Sequence, residues 1–146
     1  MAKLKINDAV GDRSPSRLLR RINQLLAKRI QDRFCDTDHS FEEWMALKLI
    51  FDRVVENAGD LARDFGIGTG ATTRLIDSLE AQGLVERDRT RQDRRVVLLK
   101  LTEQGEKYYR KKVPDMVDCW NDLLREFTKE EVEQLIMLLI KLESAF

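Results

Sequence analysis

Apolar residues along this chain recur mainly at helical spacing, interrupted once by a short alternating stretch. Leu18, Leu19, Ile22, Leu25, Leu26 and Ile30 form one continuous stripe. Ser14-Pro15 stands ahead of it, serine as cap and proline in the first turn, so a helix is predicted from there to about Cys35. Met1 to Arg13 is polar, contains a glycine and is expected to be mobile. Asp36 to His39 reads as a turn. Ser40-Phe41-Glu42-Glu43 is a capping box that opens a second helix, with Trp44, Leu47 and Phe51 on its apolar face. Asn57 is a candidate cap for a third, short helix.

The stretch from Leu61 to Thr102 organises the chain. Leu61, Ala62 and Phe65 bury one face of the short helix, and Gly66 stands where a helix needs a left-handed residue to stop. Ile67 plugs the corner. Gly68 or Thr69 caps the next helix, whose buried stripe is Leu75, Ile76 and Leu79, and Gly83 ends it. Thr69, Thr72, Thr73 and Arg74 lie early in this helix and mostly off the stripe. The pattern predicts a helix-turn-helix, in which early residues of the second helix reach base edges in the major groove. Leu84 to Arg87 and Val96 to Leu101 then read as the strands of an antiparallel hairpin, a wing.

Beyond the wing, Thr102 caps a long helix through Tyr109, Val113, Met116, Val117, Trp120, Leu124 and Phe127. Pro114 lies inside it and predicts a kink. Thr128-x-x-Glu131 is a second capping box, and it opens a last helix with Val132, Leu135, Ile136, Leu139, Ile140 and Leu142 apolar. That helix is apolar around more than one face, and so is the first. A domain of 146 residues has little interior to spare for both. Part of each stripe belongs to the chain's own core, and the surplus predicts a surface that pairs two subunits.

Charge sharpens this picture through its distribution. Formal net charge is zero, with 26 basic and 26 acidic residues. From Arg87 to Lys100 there are six basic and two acidic residues, a local +4. Met1 to Asp36 carries +5 and Asp115 to Phe146 carries −5. A hairpin tip dense in arginine suits a narrow, negative minor groove and the flanking phosphates. No apolar run near Met1 suggests a signal peptide, and none approaches the length of a membrane span. With two cysteines far apart, the expectation is a cytoplasmic protein with reduced thiols and no membrane association.

The ordered set Leu61-Ala62 to Gly66-Ile67, Thr73-Arg74-Leu75-Ile76 to Leu79-Glu80, Gly83-Leu84-Val85, Asp93-Arg94-Arg95 and Leu101-Thr102-Glu103-Gln104-Gly105 resembles the MarR family of bacterial winged-helix regulators. The flanking helical segments fit as well, so the resemblance covers nearly the whole chain. It implies a mainly α (α+β) fold: a single domain over 1–146, with a winged helix-turn-helix at 40–102 and dimerisation helices at 14–36 and 103–146. It also implies a homodimer on double-stranded DNA, at a pseudopalindromic operator. In the family's wing an Asp-x-Arg pair places the arginine in the minor groove while the aspartate orients it, and here that pair is Asp93 and Arg95.

Each candidate site has a plainer reading beside the functional one. Arg74, Arg91, Arg94 and Arg95 would in most sequences be a solvated charged face, but their place on the reading helix and hairpin tip favours DNA. Thr69, Thr72 and Thr73 are placed among the DNA contacts, although threonines near a helix start often bond backbone carbonyls instead. Cys35 stands beside Asp36, and Cys119 among Asp118, Trp120 and Asp122. Acidic neighbours raise a thiol pKa, so both read as structural and not as peroxide sensors. His39, the only histidine, with Asp36 and Asp38 nearby, reads as a polar turn before it reads as a metal site. With one histidine and no convincing nucleophile, no enzyme and no cofactor are expected. Trp44, Met45, Phe51 and Trp120 are candidates for an effector pocket, because the resemblance implies small phenolic ligands beside the dimer helices; core packing is the plainer reading of most of them. The function expected is a dimeric DNA-binding transcriptional regulator, a repressor released by a small effector, phenolic or otherwise aromatic. The alternatives are a redox- or metal-responsive regulator, and a winged helix used as a protein-interaction module.

Overall fold

The computed structural model of the protein describes residues 4–34, 39–89 and 97–146, which fall into two compact units, 1–112 and 113–146. In the first unit the order is α1 (Ile6–Ala9), α2 (Pro15–Phe34), α3 (Phe41–Phe51), α4 (Ala58–Phe65), α5 (Thr69–Ala81), β1 (Val85–Asp88), β2 (Leu98–Leu101) and the start of α6 (Glu103–Leu124). The second unit holds the rest of α6 and α7 (Lys129–Glu143). The fold is the mainly helical winged helix-turn-helix that the sequence predicts. The unit boundary falls inside α6, one residue before Pro114, and α6 runs on through that proline to Leu124. Ahead of α2, Ile6–Ala9 forms α1, one turn of helix in which the Asp8 carboxylate accepts from the Lys5 N–H at 2.8 Å.

Local chemistry sets the helix ends. Ser40 and Glu43 exchange backbone bonds at the start of α3, and Thr128 and Glu131 do the same for α7. The Asn57 side chain accepts from Asp60 N–H at 3.0 Å and caps α4. Gly66 adopts φ 61° after α4, and the Ile67 N–H then reaches back to the Ala62 carbonyl at 3.1 Å. That is a left-handed stop that a side chain would strain.

The core of the first unit gathers Leu47 from α3, Leu61 from α4, Ile76 and Leu79 from α5, Leu84, and Val85 from β1, all nearly solvent-free. β1 and β2 pair antiparallel, Val85 opposite Leu101 and Asp88 opposite Leu98. The segment before α4 joins this ladder on its other side: Leu99 N–H donates to the Glu56 carbonyl at 2.8 Å, and Asn57 bridges Leu98. The wing is thereby tied to the entrance of the helix-turn-helix.

The start of α6 is locked onto the turn after α5. The Thr102 hydroxyl donates to the Gly83 carbonyl and accepts from the Gly105 N–H, while the Thr102 N–H donates to the Leu84 carbonyl at 3.1 Å. Gly105 lies against that backbone, and a Cβ there would stand 2.0 Å from the Leu84 carbonyl oxygen. In an open helix Gly→Ala stabilises by about 1 kcal/mol. Here backbone must move, so Gly105→Ala is expected to destabilise by about 1–3 kcal/mol, read as a lower urea or thermal midpoint. A raised midpoint would show that α6 does not press on Leu84.

Candidate nucleic-acid interface

The exposed edge of α5 carries Thr69, Gly70, Thr73, Arg74 and Asp77. The opposite edge, at Thr72, Ile76 and Leu79, is buried, which fixes the face that α5 turns outward. Thr73 donates its hydroxyl to the Thr69 carbonyl at 2.9 Å, leaving its acceptor lone pairs and methyl on the surface. Thr72 corrects the sequence reading. It is 1% exposed and its hydroxyl bonds the Gly68 carbonyl at 3.1 Å, so it belongs to the core and is not offered to DNA. It stands one turn before Ile76, on the same stripe, and that spacing was the available signal.

Arg74 is exposed and has no acidic partner among the described residues. The acidic residues of the same helix, Asp77 and Glu80, share one arginine. Arg87, on β1, donates to Asp77 at 2.6 Å and also to Glu80. The bond to Asp77 raises the Arg87 pKa; partial burial opposes this, and the charges of Glu80 and Asp77 reinforce it. Sequence reading counted Arg87 only as wing charge. In the fold it bridges two carboxylates that would repel phosphate and offsets one of their two negative charges, while Arg74 stands on the reading edge without an acidic partner among the described residues. Asp88 and Lys100 pair across the hairpin.

On its inner side α5 is held by Glu43 of α3. One oxygen of that carboxylate accepts from the Ser78 hydroxyl and from the Gln82 amide, each at 2.8 Å. The other accepts from the Ser40 N–H at 2.9 Å. Burial pushes the Glu43 carboxyl up, but the bonds from Ser40, Gln82 and Ser78 and the nearby His39 hold it below the usual glutamate value.

Residues 40–97 match the sequence model of the MarR family. The winged helix here belongs to that family. Over 76 residues the chain is 36% identical to YcgE, an uncharacterised HTH-type transcriptional regulator of Bacillus subtilis (strain 168); the match covers 52% of this chain and about half, 49%, of that relative. A crystal structure of a mutant MarR from E. coli complexed with operator DNA is 27% identical, with a TM-score of 0.74 over 87% of this chain and 91% of that one. BpsR of Bordetella bronchiseptica, whose DNA binding is regulated by 6-hydroxynicotinic acid, is 20% identical and shares the fold, with a TM-score of 0.76 over 97% of this chain and 98% of its own.

The MarR-type wing tip, with Arg91, Asp93, Arg94 and Arg95, lies outside the described residues, as do Cys35, Asp36 and Asp38. Cys119 is fully buried. Among the described residues no three His, Cys, Asp or Glu side chains are grouped as a metal site. No helix among them is long and apolar enough to cross a membrane.

The four effector candidates separate. Trp44 is core: it is 4% exposed, its ring stands 5.7 Å from Tyr109 and 6.1 Å from Phe34 and Phe41, and its indole N–H reaches the Tyr109 carbonyl at 3.4 Å. Met45 is half-buried beside it in sequence. Phe51 packs on Tyr109, lies under the Arg110 guanidinium and borders an open groove of about 490 Å³ with Ile50, Arg53, Leu98 and Leu99. Trp120 is exposed and belongs to the second unit.

Proposed function

We propose that this protein is a homodimeric, sequence-specific DNA-binding transcriptional regulator, a repressor released by a small aromatic effector. The observation that carries the DNA reading is the exposed edge of α5, where Thr69, Thr73 and Arg74 face outward while Arg87 bridges Asp77 and Glu80 and offsets part of their charge. The MarR family is one of transcriptional regulators and not of enzymes. The E. coli MarR complex with operator DNA, a protein of the same fold, supports this reading, and the wing arginines add charge at the flank.

Dimerisation is supported by apolar surface that each unit leaves in solvent: Leu18, Leu19, Ile22 and Leu25 on α2, and Ile136 to Ile140 on α7. Two reading helices roughly 34–36 Å apart would enter successive major grooves of a pseudopalindromic site. An effector that favours another separation lowers operator affinity by population shift. Its class is suggested by BpsR and 6-hydroxynicotinic acid, a likeness of fold. The protein acts in the cytoplasm on this reading.

The test is selection of duplexes from a randomised pool by the full chain, followed by a salt titration on the winning duplex. An inverted repeat bound with a steep, negative dependence on log salt is expected. Recovery of no preferred duplex, with flat salt dependence, would leave the winged helix as a protein-interaction module.

A further inference from the structure

The reading edge of α5 needs more than a hydrophobic footing. Ile76 and Leu79 bury the helix, but apolar contact is nearly free of direction and tolerates small rotations and slides. Base edges do not tolerate them, because a bidentate contact depends on sub-ångström placement. Something directional has to set the helix about its axis.

We infer that Glu43 is the positioning residue for the reading helix: its carboxylate clamps Ser78 and Gln82 and thereby sets the rotation and axial register at which Thr73 and Arg74 are presented. Ser78 lies one turn beyond Arg74 and Gln82 one turn beyond Ser78, so the clamp spans the half of α5 that follows the reading residues. The parts form a closed set. Gln82 donates to both the Glu43 carboxylate and the Ser78 hydroxyl at 2.8 Å, and Ser78 donates to the same carboxylate oxygen at 2.8 Å. The Glu43 side chain is 12% exposed. In so sheltered a place charge-assisted bonds are short, directional and costly to break.

The second oxygen explains the choice of glutamate. It bonds the Ser40 N–H at 2.9 Å, which pins Glu43 to the first turn of α3. One side chain thus closes the cap of one helix and grips another 35 and 39 residues away. A cap needs only one acceptor, so the Oε1 contacts exceed what capping requires. The Arg87 bridge grips α5 on its exposed side, from Asp77 and Glu80. It joins partly exposed groups that solvent screens, whereas the Glu43 clamp is sheltered.

The clamp itself stands apart from the DNA-binding reading, and only the second readout below rests on it. The informative variant is Ser78→Ala/Gln82→Ala, which removes the clamp and keeps the capping box. The first readout is amide hydrogen exchange of the full chain. Exchange in the last turns of α5 should accelerate about tenfold or more, with the β1–β2 ladder unchanged. The second is affinity for the duplex selected by wild type and for a scrambled duplex of equal length. The selected duplex should bind about tenfold more weakly, with scrambled binding and its salt slope unmoved, because phosphate contacts survive and base contacts do not. Glu43→Gln should retain most of the preference, since a Gln82 amide flip restores complementary partners. Unchanged exchange in α5 would overturn the clamp whatever the DNA result. Faster exchange with full preference for the selected duplex would overturn its role in presentation. Faster exchange in a protein whose wild type prefers no duplex would leave the clamp standing and remove the DNA-binding reading instead.

Discussion

Leu139→Asp is expected to turn the protein into a 17.1 kDa monomer in sedimentation at micromolar concentration, with operator binding reduced by two orders of magnitude or more. No residue of α7 is buried in the chain, although Ile136 to Ile140 is an unbroken apolar run. Leu139 is 48% exposed there. Burying the exposed half of such a side chain against a second copy contributes about 1 kcal/mol. An aspartate at the same place has to be desolvated without a partner, at a cost of several kcal/mol more. The DNA effect follows from linkage. A dimer holds its second reading helix at an effective concentration near millimolar once the first has bound, and loss of that tether forfeits roughly 10²–10⁴ in affinity. Circular dichroism separates dissociation from unfolding. A wild-type protein that sediments as a monomer and still binds tightly would remove the dimer from the proposal.

The second large effect is expected at the wing. β1 ends at Asp88 and β2 begins at Leu98, and Asp93 and Arg95 fall between these two paired strands in the sequence. Arg95→Ala should weaken operator binding and lower the salt slope by about 0.9 for each phosphate that is no longer neutralised, counted per subunit. It should also blunt any preference for A·T-rich flanks, because an inserted arginine reads groove width. Asp93→Ala is the sharper test. Simple electrostatics expects tighter binding when a negative charge leaves a basic loop. An aspartate that orients the arginine expects weaker binding. If Asp93→Ala binds as well as wild type or better across a salt titration, the wing is a diffuse positive patch, and Arg94 shares its work.

Much of the helical framework could be read along the chain. Ser40 with Glu43, Thr128 with Glu131, Asn57 with Asp60, and Gly66 each act within one turn of their own position, and all four end or start a helix as the sequence suggests. Such bonds depend on neighbours only, so residue type and spacing suffice to specify them. The reading helix was legible for a related reason: its stripe at Ile76 and Leu79 marks the buried face and leaves the other for solvent. Thr72 was the exception, because a hydroxyl is compatible with either face. Its helical register places it inward, where its hydroxyl donates to the Gly68 carbonyl.

Tertiary packing decided everything that joins residues far apart. The grip of Glu43 on Ser78 and Gln82, the bridging of Asp77 and Glu80 by Arg87, and the pairing of Leu99 with Glu56 leave no periodic trace. Each needs two elements brought within about 3 Å at one angle, and that geometry is set by how helix faces and strand register meet in the core. The same holds for Trp44, whose aromatic character suits a ligand wall or a core equally well. Only the arrival of Phe34, Phe41 and Tyr109 around its ring assigns it to the core. Local free energies determine where elements begin and end along this chain; contacts made only on collapse determine which side chains remain available to a partner.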